Sequence, residues 1–209
     1  MDGGGRVGRR RGLVLVAAGL LCGCGTASGS GAGLEQALVV ELPGFVLGAD
    51  SPLDPTVCDP EPSGPNVPPP ALPAGMGAPT TVFFQQASAT VEAYAWRMTD
   101  PELTARDAVE QTQATMALCD WSLTTAHDLD GDGERETPAS ESQSVEDWTG
   151  SQWTGTRVHR VVSDYEQVDR RLVYADDVVL QVVVRADSDD PADVAVADDY
   201  LAAVATNLG

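Results

Sequence analysis

Apolar positions recur along this chain with two periods. From Thr90 to Met98 they alternate: Tyr94, Trp96 and Met98 fall on one face of a strand, Val91, Ala93 and Ala95 on the other. Both faces are largely apolar, which predicts a central strand. Strand patterns also cover Phe45-Val46-Leu47, Thr80 to Phe84, Trp121 to Ala126, Thr156 to Val162, Tyr165 to Tyr174 and Val178 to Arg185. Ala175-Asp176-Asp177 reads as a hairpin turn, and the Val-rich run after it as a strand buried on both faces. The helical period governs Leu34 to Val40. It returns after Asp100-Pro101-Glu102, where Ala105, Val109, Thr112, Met116 and Cys119 follow at helical spacing. A second Asp-Pro pair, Asp190-Pro191, opens a last helix to about Asn207, with Val194, Tyr200, Leu201, Val204 and Leu208 free to face a sheet.

These elements predict an α+β fold: a mainly antiparallel sheet with two helices packed on one face and one disulfide. Residues 34–209 form the single domain. Within it, residues 60–79 hold eight of the fourteen Pro, including Pro68-Pro69-Pro70. Neither a regular helix nor an inner strand accommodates that density, so the stretch reads as an extended surface crossing. A peptide-like recognition motif is the other reading of it.

The first residues read as an address. Arg9-Arg10-Arg11 precede an apolar run, Leu13 to Leu21, that is shorter than the ~20 residues a membrane span needs. Leu21-Cys22-Gly23-Cys24 then resembles the lipobox of bacterial lipoproteins, with Leu three before the Cys and a small residue one before it. Residues 1–23 are therefore expected to be a lipoprotein signal peptide, and Cys24 the acylated new N-terminus, carrying palmitate-type chains. Two acyl chains on one glyceryl group anchor stably where one is marginal. An ordinary cleaved signal is the alternative. Residues 24–33, rich in Gly, Ser and Ala, read as a flexible spacer.

Removing residues 1–23 leaves Cys24, Cys58 and Cys119. With Cys24 lipidated, two thiols remain in an oxidising compartment, which predicts a Cys58–Cys119 disulfide; two free buried thiols are the alternative. Acidic Asp59 and Asp120 stand beside them and no basic residue does, which argues against a reactive thiolate.

Charge narrows the partners. Twelve basic residues, all Arg, face 32 acidic ones, a formal net charge of −20, and four of those Arg lie in the first eleven residues. Such a chain lacks the positive surface that nucleic acid or an anionic bilayer requires. The expected partners are the membrane, through the lipid anchor, and an unknown small ligand or envelope protein.

Four features together resemble the PknH-like extracellular sensor domains of actinobacteria. They are Leu42-Pro43-Gly44-Phe45, the lone Cys58 before a loop, Cys119-Asp120-Trp121 closing a helix, and Arg171-Leu-Val-Tyr-Ala-Asp-Asp-Val-Val-Leu180 followed by Asp190-Pro191-Ala192-Asp193. Many members carry a second disulfide near the last two strands, for which this chain has no Cys. The resemblance implies ligand binding or sensing outside the cell and brings no catalytic residues with it.

One motif suggests a metal. Asp128, Asp130 and Asp132 alternate before Gly133, with Glu134 and Glu136 following. Three carboxylates, the Glu134 carbonyl and the Glu136 side chain supply an oxygen set suited to Ca²⁺, the candidate cofactor. It resembles the nine-residue calcium loops of integrin-type repeats and dockerins; an acidic hairpin loop is the plain alternative. Neither His127 nor His159 sits in a recognisable catalytic motif, and no carboxylate pair stands out. Trp148 and Trp153 flank a turn and either stack on a ligand ring or cap a core edge. The expected function is therefore a non-catalytic ligand-binding or sensor-like lipoprotein on the outer face of the cell membrane. An adaptor docking on another envelope protein, or a hydrolase with an unrecognised site, is the alternative.

Overall fold

The computed structural model describes residues 30–49, 55–61, 69–125, 139–162, 166–188 and 191–209. Residues 1–23, Cys24 and the acidic stretch with Asp128, Asp130, Asp132, Glu134 and Glu136 lie outside the described residues.

The chain runs α1 (Ser30–Leu38), β1 (Val46–Leu47), β2 (Thr80–Gln85), β3 (Ala89–Arg97), α2 (Ala105–Gln113), a 3₁₀ turn (Met116–Leu118), β4 (Trp121–Thr125), β5 (Ala139–Gly150), β6 (Trp153–Val162), β7 (Glu166–Ala175), β8 (Val178–Ala186) and α3 (Pro191–Leu208). The strands form one antiparallel sheet in the order β1-β2-β3-β8-β7-β6-β5-β4. The β3 and β8 strands are inner and buried on both faces, as their near-continuous apolar runs predict.

Strand alternation splits the core in two. Val91, Ala93, Ala95, Leu180, Val182 and Val184 pack beneath α1 and α3. Tyr94, Trp96, Leu172, Val179 and Val183 pack beneath α2, Val57 and the Cys58–Cys119 disulfide. The two-helix layer thus consists of the first and last helices, and α2 covers the opposite face. Tyr200 Oη donates to the Leu38 carbonyl at 3.0 Å and locks α3 onto α1. Burial raises the Tyr200 pKa well above the ordinary tyrosine range.

Three boundaries differ from the sequence expectation. First, α1 begins at Ser30, four residues inside the stretch read as spacer. Small residues tolerate a helix, and the buried Leu34 and Leu38 anchor it. Second, α2 begins at Ala105, not at Pro101. Asp100 Oδ1 accepts from the Glu102 amide in a turn, while Thr104 and Asp107 close a capping box one turn later. Two reciprocal side-chain caps outcompete a single Asp. Third, β5 emerges in a mostly polar stretch, where Val145 and Trp148 are its only large apolar residues. Its outward Ser142 and Ser144 are matched by inward Glu141 and Gln143, so no apolar alternation marks it.

Candidate functional site

Five of the seven arginines among the described residues lie on three adjacent strands: Arg157 and Arg160 on β6, Arg170 and Arg171 on β7, and Arg185 on β8. Alternation sends Arg157 and Arg171 to the face of α1 and α3. It sends Arg160, Arg170 and Arg185 to the face of α2.

On the α3 face the charges close into a network. Asp169, wholly buried, accepts from Arg157 Nε through Oδ2 at 2.5 Å and from Arg171 Nε through Oδ1 at 2.5 Å. Arg171 also pairs with Asp198 of α3 at 2.9 Å, and its guanidinium lies 4.7 Å from the Trp148 ring centroid. Arg157 reaches Glu146 at 3.0 Å. Burial pulls the Arg157 pKa down, but Asp169 and Glu146 outweigh it and leave it raised. Trp153 is buried and donates Nε1–H to the Leu201 carbonyl at 2.9 Å. Both Trp of the 148–153 turn therefore serve the core edge.

The same face carries a suggestive row. Ser144, His159 and Asp169 are register neighbours across β5, β6 and β7. They do not assemble a nucleophilic triad. Both Asp169 oxygens are held by arginine, and His159 Nε2 stands 3.3 Å from Gln167 Oε1.

The α2 face is built differently. Residues 55–61 form a strap over it that bonds to five strands, β4 to β8. The Thr56 carbonyl accepts from Gln181 on β8 at 2.8 Å. Asp59 Oδ2 accepts from Arg170 on β7 at 2.9 Å and from Arg160 on β6 at 3.4 Å. The Asp59 backbone bonds both ends of the buried Gln143 amide on β5, and its carbonyl accepts from Trp121 Nε1 on β4. Gln143 Nε2 donates to the Cys119 carbonyl as well, and the Cys58–Cys119 bond (Cα–Cα 5.9 Å) pins the strap to the end of the helical segment. Arg160 also pairs with buried Glu141, and Arg185 with Glu166 at 3.5 Å.

Arg170 is the centre of this face. It is 2% exposed, yet only Nη2 finds a partner; Nε and Nη1 are buried without one. Its partner strand residues are Val158 and Val183. The diagonal neighbours two residues away from those are Thr156, Arg160, Gln181 and Arg185. Three of the four also carry a buried atom without a partner: Thr156 Oγ1, Gln181 Oε1 and Arg185 Nε. Among the described residues one more such atom exists, Arg97 Nε, beside the exposed Asp177. Unpaired buried polar atoms are rare in folded proteins, and here two lie on one arginine and three on its diagonal neighbours. Burial lowers the Arg170 pKa, Asp59 opposes the shift, and Arg185 adds to it.

Beside the strap, an open apolar groove of about 230 Å³ runs between Pro60, Pro69, Pro70 and Leu118. The described part of the Pro-rich stretch has no regular structure and walls this groove. No group of His, Cys, Asp or Glu among the described residues is arranged to hold a metal. The candidate site rests on Arg170 and Asp59, which the sequence expectation did not single out. Arg170-Arg171 on a strand between apolar residues is the one signal that was readable.

No family model matches the chain, and no curated protein matches it in sequence. Among solved structures it is similar to the extracellular domain of PknH from Mycobacterium tuberculosis, with a TM-score of 0.41 and 12% sequence identity. The match covers 65% of this chain and 66% of that one, just under two thirds of its length.

Proposed function

We propose that the chain is an extracytoplasmic lipoprotein, anchored through Cys24, whose α+β domain binds a ligand and catalyses no reaction. The observation that carries the binding reading is the cluster of five buried, unpartnered polar atoms around Arg170 beneath a disulfide-pinned strap. The disulfide supports an oxidising compartment. Against catalysis stands the engagement of Asp169 and His159 by other groups. Acylation is tested by radiolabelled palmitate: label and membrane association are expected in the full chain and lost in Cys24→Ala. Binding is tested by melting the full chain, in mild detergent, against a panel of neutral sugars, amino acids and inorganic anions. Stabilisation by none of them would sink the binding reading.

The acidic loop belongs to the same proposal as a structural Ca²⁺ site formed by Asp128, Asp130, Asp132, Glu134 and Glu136. A site saturated at 100 times its dissociation constant adds about 2.7 kcal/mol. The expected outcome is a melting shift of roughly 5–10 °C in millimolar Ca²⁺ over EDTA at matched ionic strength, abolished in Asp130→Asn.

A second reading, an adaptor for another envelope protein, draws on one patch. Val39, Val46 and Leu47 are exposed beside α1 and the edge strand β1.

A further inference from the structure

The atoms left unpaired around Arg170 are unequal in kind. Arg170 Nε and Nη1 belong to a buried guanidinium, and Arg185 Nε is a buried donor on a partly exposed side chain. Against them stand one amide oxygen, Gln181 Oε1, and one hydroxyl, Thr156 Oγ1, which serves either way. Donors and positive charge prevail, so a cation is excluded and a neutral hydroxyl or water leaves N–H groups over. The complement is a group that only accepts and carries negative charge.

Register fixes the shape of the site. Arg160 and Arg185 both stand opposite Val168, one on each side of β7, and Arg170 lies one pleat further along. Three guanidinium groups thus surround Val168 on one face. The carboxylate that reaches Arg170 is Asp59, shared with Arg160 and about one third exposed. The Asp59 backbone is tied to Gln143 and Trp121, but its side chain is one third exposed, so the carboxylate is the exchangeable partner. The unpaired atoms are shielded from solvent, which limits the occupant to a small ion or to the head of a larger ligand.

We propose that Arg170, with Arg185 and Arg160, binds an anion of the phosphate or carboxylate class, and that Asp59 is the internal carboxylate with which it competes. This rests on the binding reading above and names its ligand class. The anion accepts from Arg170 Nε and Nη1 and from Arg185 Nε.

The test is a melt and titration of the full chain with inorganic phosphate, sulfate, acetate and glycerol 1-phosphate, against chloride at equal ionic strength. Saturable stabilisation by an oxyanion is expected, with affinity about tenfold or more weaker in Arg170→Gln and in Arg185→Gln. In Asp59→Asn the competitor is gone and binding tightens several-fold. That gain keeps the test decisive even if Arg170→Gln does not fold. Phosphate alone identifies the free ion as the ligand; phosphate together with the monoester identifies the headgroup of a larger one. Stabilisation that persists unchanged in both arginine variants is a general salt effect and overturns the proposal. So does a wild-type chain and an Asp59→Asn chain that ignore every anion. A neutral sugar or amino acid that stabilises where anions do not would overturn the anion while leaving the binding reading standing.

Discussion

Two arginines adjacent in sequence, on opposite faces of one sheet, are answered in opposite ways. On the α3 face, Arg157 and Arg171 share wholly buried Asp169, and Glu146, Asp198 and Trp148 take up the rest of their capacity. On the α2 face, Arg170 is as deeply buried yet has a single partner, borrowed from a strap. The residues are neighbours in sequence, so composition and depth do not separate them. What separates them is who supplies the acid. A carboxylate within the sheet makes a fixed keystone. A carboxylate on a crossing segment leaves a charge half-answered, an arrangement that lowers stability and is retained where it serves binding.

The sharpest break of this contrast is Asp169→Asn. It strips two buried guanidinium groups of their shared acceptor, and removing one partner of a buried pair costs about 3–5 kcal/mol. A fall in melting temperature on the order of 10 °C is expected. A loss of a degree or two would mean that the keystone is ornamental. Next comes the strap. Cys58→Ser with Cys119→Ser opens a loop of 61 residues, for which chain entropy gives roughly 4 kcal/mol before native strain. Urea unfolding of the variant, and of the wild type with and without reductant, measures it.

The comparison itself is tested by the adjacent pair. Arg171→Met leaves Asp169 half-paired and is expected to lose about 3 kcal/mol. Arg170→Met removes an under-satisfied charge and is expected to change stability by no more than about 1 kcal/mol in either direction. Equal losses would erase the distinction between the faces. The smallest effect lies far from both, at the start of α2. The Thr104 hydroxyl, then its backbone N–H, hold the Asp107 carboxyl below its usual range. A carboxyl whose folded pKa is depressed contributes stability above its unfolded pKa and loses it as pH falls through the folded one. Acid titration of the melting temperature should therefore show a slightly shallower slope below pH 4 in Thr104→Val than in wild type.

Much of this architecture was legible because apolar periodicity marks whatever is buried by hydrophobic residues. The β3 and β8 strands announce themselves as near-continuous Val, Ala and aromatic runs, α3 by its stripe from Val194 to Val204, and Cys58 and Cys119 pair as the thiol count predicted. The β5 strand was not legible. Glu141 and Gln143 are buried there by hydrogen bonds to Arg160, Asp59 and Cys119, and polar burial leaves no periodic trace. The candidate site was hidden for the same reason. Arg170 matters through Asp59, 111 residues away, and through orphan atoms on neighbouring strands, and no local spacing encodes such a meeting. The side of the sheet each helix takes depends on strand order, which places β3 beside β8 across most of the domain.

That last pairing sets the order in which the molecule can become itself. The hairpin of β2 and β3 is made early, yet the open edge of β3 meets its neighbour only when Val178 to Ala186 exist. Until then the N-terminal third of the sheet presents a long apolar edge, the kind of surface on which chains stick to one another. Pairing between strands this distant in sequence is the kind of contact that slows folding. Residues 178–209, which supply both β8 and α3, turn a waiting hairpin into a closed core.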